Sequence, residues 1–197
     1  MPADEGERWR VFVAIEVPDA VRYALTGPLE GLQPLHEPIR LNPVDRIHLT
    51  LHFLGHLPRP VVEQLPPALA TVVSRHRRFG VTALGVGAFP AISRPRVLWA
   101  GIGGAELPRM NALQAELGEA LRTAGLKVEG ERFHPHLTLG RVRRPLKSAE
   151  RGLLREWSVH WATTPLGDVP VDRVRLMRSQ LGGGPPRYTT LATFDLE

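Results

Sequence analysis

"HLTLHFLG", from His48 to Gly55, and "HLTLGR", from His136 to Arg141, open on the same tetrapeptide, His-Leu-Thr-Leu. In an extended strand successive side chains point to opposite faces. His48, Thr50 and His52 are therefore expected on one face of the first copy, with Leu49, Leu51 and Phe53 on the other; in the second copy His136 and Thr138 part from Leu137 and Leu139 in the same way. The leucines would seat each strand in a core and leave a His-Thr pair on the opposite surface. One such pair is ordinary decoration for the wetter face of a strand. Two argue for a shared use, because drift in an unused duplicate blurs polar letters before buried ones.

The text around each copy follows a common order. "WRVFVAIEV" (Trp9 to Val17) is rich in β-branched residues and reads as a strand, and Pro18-Asp19 then starts a helix with Val21, Ala24, Leu25 and Leu29 on one side. The first HLTL strand follows, closed by Gly55, and then a helical stretch from Pro60 to about His76 that Pro66 and Pro67 must kink or split. "FGVTALGVGAF" and "PRVLWAGI" form two adjacent strands across the turn "PAISR". Leu107, Met110, Leu113, Leu117, Leu121 and Ala124 mark an amphipathic helix that Gly125 stops. After the second HLTL strand a short helix is expected from Ser148 to Trp157, then three strands, "WSVHWATT", "VPVDRVRLMRS" and "RYTTLATFDL". Strand, helix, HLTL strand, helix thus occurs twice. With no linker between the halves, the expectation is one domain over residues 1–197 made of two intertwined lobes. Its class is α+β with largely antiparallel sheets rather than a doubly wound parallel sheet.

At 197 residues and 43% hydrophobic the chain can bury a substantial core. It has no cysteine, which excludes disulfides, iron–sulfur clusters, Cys-ligated zinc and thiol nucleophiles. No run approaches the roughly 18 apolar residues of a membrane span, and "MPADEGERWR" has no apolar signal region, so a cytoplasmic protein without membrane attachment is expected, a monomer by default. The formal charge is +5, and of the 25 basic residues only Lys127 and Lys147 are lysines. Arginine suits phosphate because its planar fork binds two oxygens at once. A GC-rich genome would also favour arginine, so basicity permits a nucleic-acid partner without requiring one.

Two imidazoles converging on a cleft suit displacement at phosphorus. Attacking and leaving oxygens lie on opposite faces of the phosphate, so one neutral histidine can accept a proton while a protonated one donates. Histidine titrates near neutrality, which makes both states accessible. Thr50 and Thr138 can offer hydroxyls to the non-bridging oxygens, and Arg141 can add a charged fork if the strand bends near Gly140. Such a site needs no metal. The competing readings are a metal site built from His48, His52, His134 and His136, and a module that captures phosphorylated ends without turnover. "GIGGAEL" has Glu106 where a dinucleotide-binding loop needs its third glycine, and "LGGGPP" lacks the Lys-Ser/Thr of a P-loop.

The paired His-x-Thr-x motifs resemble the 2H phosphoesterase superfamily. Within it, "RVFVAIEVP", "IHLTLHFLG", "RPRVLWAGI", "FHPHLTLGR" and "MRSQLGGGPPRYTTL" are similar to the bacterial and archaeal RNA 2′,3′-cyclic phosphodiesterases, also called 2′-5′ RNA ligases, over nearly the whole chain. The resemblance implies a bilobed fold with pseudo-two-fold symmetry and two sheets enclosing a cleft, one motif on each side. It implies opening of an RNA-terminal 2′,3′-cyclic phosphate to a 2′-phosphate with no metal or other cofactor, and 2′-5′ ligation when an RNA 5′-hydroxyl replaces water. In that scheme His48 is the general acid and His136 the general base, while Thr50, Thr138 and Arg141 hold the phosphate. Phe12 and Phe133 are candidates to stack on the terminal base, with core packing as their alternative use.

Overall fold

The computed structural model describes residues 7–128, 133–180, 182 and 186–197. Its elements are, in chain order, β1 (Arg8–Glu16), α1 (Asp19–Gly31), β2 (Ile39–Leu41), β3 (His48–Pro58), α2 (Arg59–Glu63), α3 (Pro66–Val73), β4 (Phe79–Phe89) and β5 (Val97–Gly103). They continue with α4 (Leu107–Thr123), β6 (His136–Val142), α5 (Ser148–His160), β7 (Pro165–Val171), β8 (Arg173–Gln180) and β9 (Arg187–Asp195). The strands form one curled sheet in the order β7-β4-β5-β6-β3-β1-β8-β9, with β2 added to β6, and every pair is antiparallel.

The two HLTL strands lie at the centre of this order. Between them runs a narrow seam whose pairing is Leu49 with Leu137. Outward from the seam one half reads β3-β1-β8-β9 and the other β6-β5-β4-β7, which is the pseudo-two-fold of a duplicated, bilobed α+β fold. The halves exchange strands: β4 follows α3 in the first repeat yet pairs with β5, and β8 follows β7 yet pairs with β1. Helices cover the leucine side in pairs. Trp157 on α5 donates its indole N–H to the Pro28 carbonyl of α1 at 2.9 Å, and α3 packs on α4. Leu49, Leu51, Leu137 and Leu139 are all buried in the core those helices close. Among the described residues no helix is long and apolar enough to cross a membrane.

Three local readings change. The first HLTL strand does not end at Gly55 but continues to Pro58; Gly55, at φ +73°, sits opposite Val11 beside a bulge, a conformation that costs glycine little. The prolines do split the 60–76 stretch, into α2 and α3. "WSVHWATT" is not a strand: α5 runs on to His160, because Leu154, Trp157 and Trp161 recur at helical spacing and the two indoles pack over Gly31 and Gly27 of α1. "VPVDRVRLMRS" is not one strand either, since Asp172 separates β7 from β8, which belong to opposite half-sheets.

Candidate active site

A matching bulge on each central strand arranges the site. Along β3 the partner of Thr50 is Ala14 and the partner of His52 is Val13, so Leu51 is an extra residue and the alternation slips there. The slip corrects the expectation that His52 shares a face with His48 and Thr50. His52 is instead 5% exposed on the core side, its Nε2 bonded to the Gln114 carbonyl of α4 at 2.7 Å, and Phe53, 43% exposed, takes the open side. Along β6 Thr138 pairs with Trp99 and Gly140 with Leu98, leaving Leu139 extra. Gly140 therefore turns to the core and Arg141 swings onto the face of His136 and Thr138, the bend its use at the cleft requires. Phe53 and Arg141 occupy equivalent places in the two repeats, as do His52 and Gly140.

The Leu49–Leu137 pairing sets the rest by register. His48 stands across the seam from Thr138, and Thr50 across from His136. Two residues of rise and one strand spacing put the histidine Cα atoms on a diagonal of roughly 8 Å. Each imidazole is fixed from behind in the same way. His48 Nδ1 meets the Arg46 carbonyl at 2.9 Å and His136 Nδ1 meets the His134 carbonyl at 2.7 Å. A carbonyl can only accept, so Nδ1 carries the hydrogen and Nε2 is left as the titrating atom. Phe12 stacks on the His48 ring at 4.7 Å and Tyr188 meets it edge-on at 5.1 Å, while Phe89 meets His136 edge-on at 5.0 Å.

Burial lowers the pKa of both histidines, against the carbonyl bonds that raise it. His136 has two further depressing influences, the charges of Arg141 and His134. Burial also pushes the Tyr188 phenol up, against the pull of Arg10, Arg46, Arg141 and Arg40.

His48, Thr50, Thr138 and Arg141 line one cavity of about 480 Å³, together with Arg10, Arg40, Arg46 and Asn42. Among the described residues no carboxylate lines it. Two donors there have no partner among the described residues: the Ser179 hydroxyl, on a residue 5% exposed, and Arg46 Nη1. Asn42 ties β2 to the site by donating its amide to the Thr138 carbonyl at 2.8 Å. His136 opens on an adjoining depression of about 390 Å³ with Phe89, Phe133 and His134, and Thr50 and Phe53 border both spaces. Phe12 is 3% exposed and has the His48 ring on its face, whereas Phe133 lies in the second depression. His52 borders the depression that holds His134 and His136, but its Nε2 is taken up by the Gln114 carbonyl and His48 lines the other cavity, so the four-histidine cluster does not form; no group of three His, Asp or Glu among the described residues could hold a metal ion.

Sequence reading missed Arg10, Arg40, Arg46, Ser179 and Tyr188. Arg10 carried a signal, since alternation along β1 puts it two residues before Phe12 and opposite the buried Val11, Val13 and Ile15. Arg40 and Arg46 lie in a stretch with no periodicity to read.

Residues 12–183 match the family described as the 2′-5′ RNA ligase superfamily. The chain belongs to this superfamily. A curated RNA 2′,3′-cyclic phosphodiesterase of Aeropyrum pernix is 36% identical over 149 residues, covering 75% of this chain and 80% of the relative. That of Archaeoglobus fulgidus is 30% identical over 187 residues, covering 94% and 99%. Among solved structures, E. coli LigT complexed with 3′-AMP superposes with a TM-score of 0.70 at 26% identity, covering 96% of this chain and 99% of LigT. Superfamily membership and the pseudo-two-fold fold agree with the two lobes described above.

Proposed function

We propose that this superfamily member opens RNA-terminal 2′,3′-cyclic phosphates to 2′-phosphates by two-histidine acid–base catalysis without a metal ion. The observation that carries the reading is the pair of carbonyl-locked imidazoles, each across the seam from a threonine, beside an arginine-lined cavity. The names of the relatives, RNA 2′,3′-cyclic phosphodiesterases, supply the substrate.

In this mechanism the neutral Nε2 of His136 takes a proton from water as the water oxygen bonds to phosphorus. The P–O3′ bond breaks, and His48 gives its Nε2 proton to the departing 3′ oxygen. The 2′-phosphate and a free 3′-hydroxyl result, and exchange with solvent resets both rings. The charges of Arg141 and His134 favour the neutral base at His136, which supports its role as the base. Thr50, Thr138 and Arg141 hold the non-bridging oxygens, whose charge grows in the transition state. Each proton transfer is worth roughly 100- to 10,000-fold in rate. An RNA 5′-hydroxyl in place of water would leave a 2′-5′ linkage by the same steps. Phe133, with Phe89, gives the His136 side an apolar surface on which a base can stack.

The test is incubation, in EDTA, of purified protein with a short RNA ending in a 2′,3′-cyclic phosphate, beside the His48→Ala and His136→Ala variants. Formation of a 2′-phosphate end by wild type, lost in each variant, is the expected result. Turnover only on addition of zinc or manganese would refute the metal-free scheme, and tight binding without turnover would identify an RNA-end binder.

A further inference from the structure

We propose that a track of arginines leading from the cleft along β2 and the end of β6 binds the phosphodiester backbone of the RNA body behind the reacting end. The proposal rests on the cyclic-phosphate reading for its substrate, and on separate observations for its site.

The cavity holding His48 shares Arg40, Asn42, Gly182 and Pro186 with a groove of about 690 Å³ over β2. That groove shares Arg143 with a third, of about 430 Å³, which Arg94, Arg96, Arg144 and Arg151 also line. The three spaces thus adjoin in sequence. Strand pairing explains the continuity: β2 lies on β6 with Arg40 opposite Arg141, Val97 of β5 lies opposite Arg141 on its other side, and Arg143 and Arg96 extend from these ends.

Among the described residues unpaired arginines occur elsewhere too, at Arg75, Arg77, Arg155 and Arg187, but none of those lines the cavity of His48 or the two grooves that continue from it. Arg22, Arg59, Arg109, Arg122, Arg175 and Arg178 each hold a carboxylate within 4 Å, the charge balance of ordinary surface. Along the track Arg144 is held by Glu150, and Arg151 is bonded to the Leu146 carbonyl. Arg40, Arg94, Arg96, Arg141 and Arg143 are exposed, and among the described residues none has an ion pair or a side-chain hydrogen bond. Uncompensated guanidinium groups repel one another unless an anion lies between them, and a polyanion that enters the cleft by one end must leave by a surface of this kind. From Thr138 to Arg143 the strand rises about 17 Å, room for on the order of five phosphates at the spacing of a helical strand and fewer if extended.

The test separates the track from the reacting end. The Arg94→Ala/Arg96→Ala/Arg143→Ala variant removes side chains that make no bond within the described residues. Its affinity for a 5′-labelled twelve-nucleotide RNA with a 3′-terminal phosphate is measured by fluorescence anisotropy across a salt series. Its turnover of a mononucleotide 2′,3′-cyclic phosphate is measured alongside. Removing three phosphate contacts to a single strand should flatten the log–log salt slope by about two units and weaken low-salt affinity at least about tenfold. Turnover of the mononucleotide should be unchanged, and an Arg75→Ala/Arg77→Ala control should bind as wild type. Unchanged affinity and slope in the triple variant would overturn the track, as would an equal loss in the control or an equal loss on the mononucleotide. Absence of cyclic-phosphate turnover in wild type would count against the proposed reaction alone, since the binding measurement needs no turnover.

Discussion

Replacing Arg141 separates two consequences of one bulge. The extra residue Leu139 brings Arg141 onto the face of His136 and Thr138, where its guanidinium lowers the pKa of His136 and is free to grip a phosphate oxygen. Arg141→Gln keeps a polar side chain and removes the charge. A charge-assisted hydrogen bond is worth about 1.5–3 kcal/mol, and at 1.36 kcal/mol per tenfold this predicts a loss of about 10- to 150-fold in kcat/KM. The same change must raise the His136 pKa, because a positive neighbour disfavours the imidazolium and its removal favours it. Arg141→Lys keeps the point charge and loses the fork, so it should cost under about tenfold and leave the His136 titration in place. The assays are kcat/KM on a nucleoside 2′,3′-cyclic phosphate and an NMR titration of the His136 ring in a His48→Gln background, which removes coupling between the two histidines. A His136 pKa that stays fixed or falls in Arg141→Gln, or a kcat/KM within threefold of wild type, would refute the placement argued here.

Three further outcomes follow from the same geometry. His52→Ala should cost about 2–4 kcal/mol in denaturant unfolding through the cavity it leaves against α4, while kcat stays within about threefold; loss of activity without loss of stability would return His52 to the reacting face. His48, His52 and His136 all have pKa values lowered on folding, so the unfolded chain binds more protons below about pH 6.5. Their contribution to stability is therefore complete above that pH and lost as pH falls through the lowered values: Tm should drop between about pH 7 and 5, less steeply in His52→Leu, and a flat profile would contradict the burial of these rings. In Gly140→Ala the new methyl would stand 2.9 Å from the Arg40 carbonyl, so β2 must shift away from β6. Overpacking of this kind costs about 1–3 kcal/mol, and displacement of Arg40 should raise KM more than it lowers kcat, read from a melt and a substrate titration.

How much of this was legible in the sequence depended on period. Leucines at every second position fixed the inward face of both central strands, and helical spacing fixed α1 and α4, because burial of one face imposes a repeat that letters can carry. The strand exchange between halves leaves no such mark, since a strand's pattern records that it is buried and not which neighbour it meets. Bulges are harder still. Nothing in "HLTLHFLG" announces that Leu51 is extra, and strict alternation therefore put His52 on the face of His48 and Thr50 and Phe53 on the leucine face, whereas His52 is buried against α4 and Phe53 is exposed. At Arg141 the same slip was required in advance by chemistry, because an arginine among buried leucines would be untenable. Trp157 misled in the other direction: an indole in a β-favouring run reads as strand until its spacing from Leu154 and Trp161 is counted.

In the proposed mechanism the duplicated scaffold must let two equal histidines take unequal roles. By backbone alone the half-sites are interchangeable: each has a bulge after Leu-Thr-Leu, each histidine is tied to a carbonyl two residues earlier, and each stands across from a threonine. The difference enters at the two positions after the bulge. In the first repeat they are His52, which fills the space under α4, and Phe53, which covers the open side with the Arg10 guanidinium 4.8 Å above its ring. In the second they are Gly140, small enough for β2 to pair alongside, and Arg141. One glycine thus admits a strand that carries Arg40 and Asn42 to the seam, and one arginine adds a charge that lowers the pKa of His136. The proposed mechanism, which holds one imidazole neutral and one protonated, calls for such an asymmetry, and the residues at these two positions offer one.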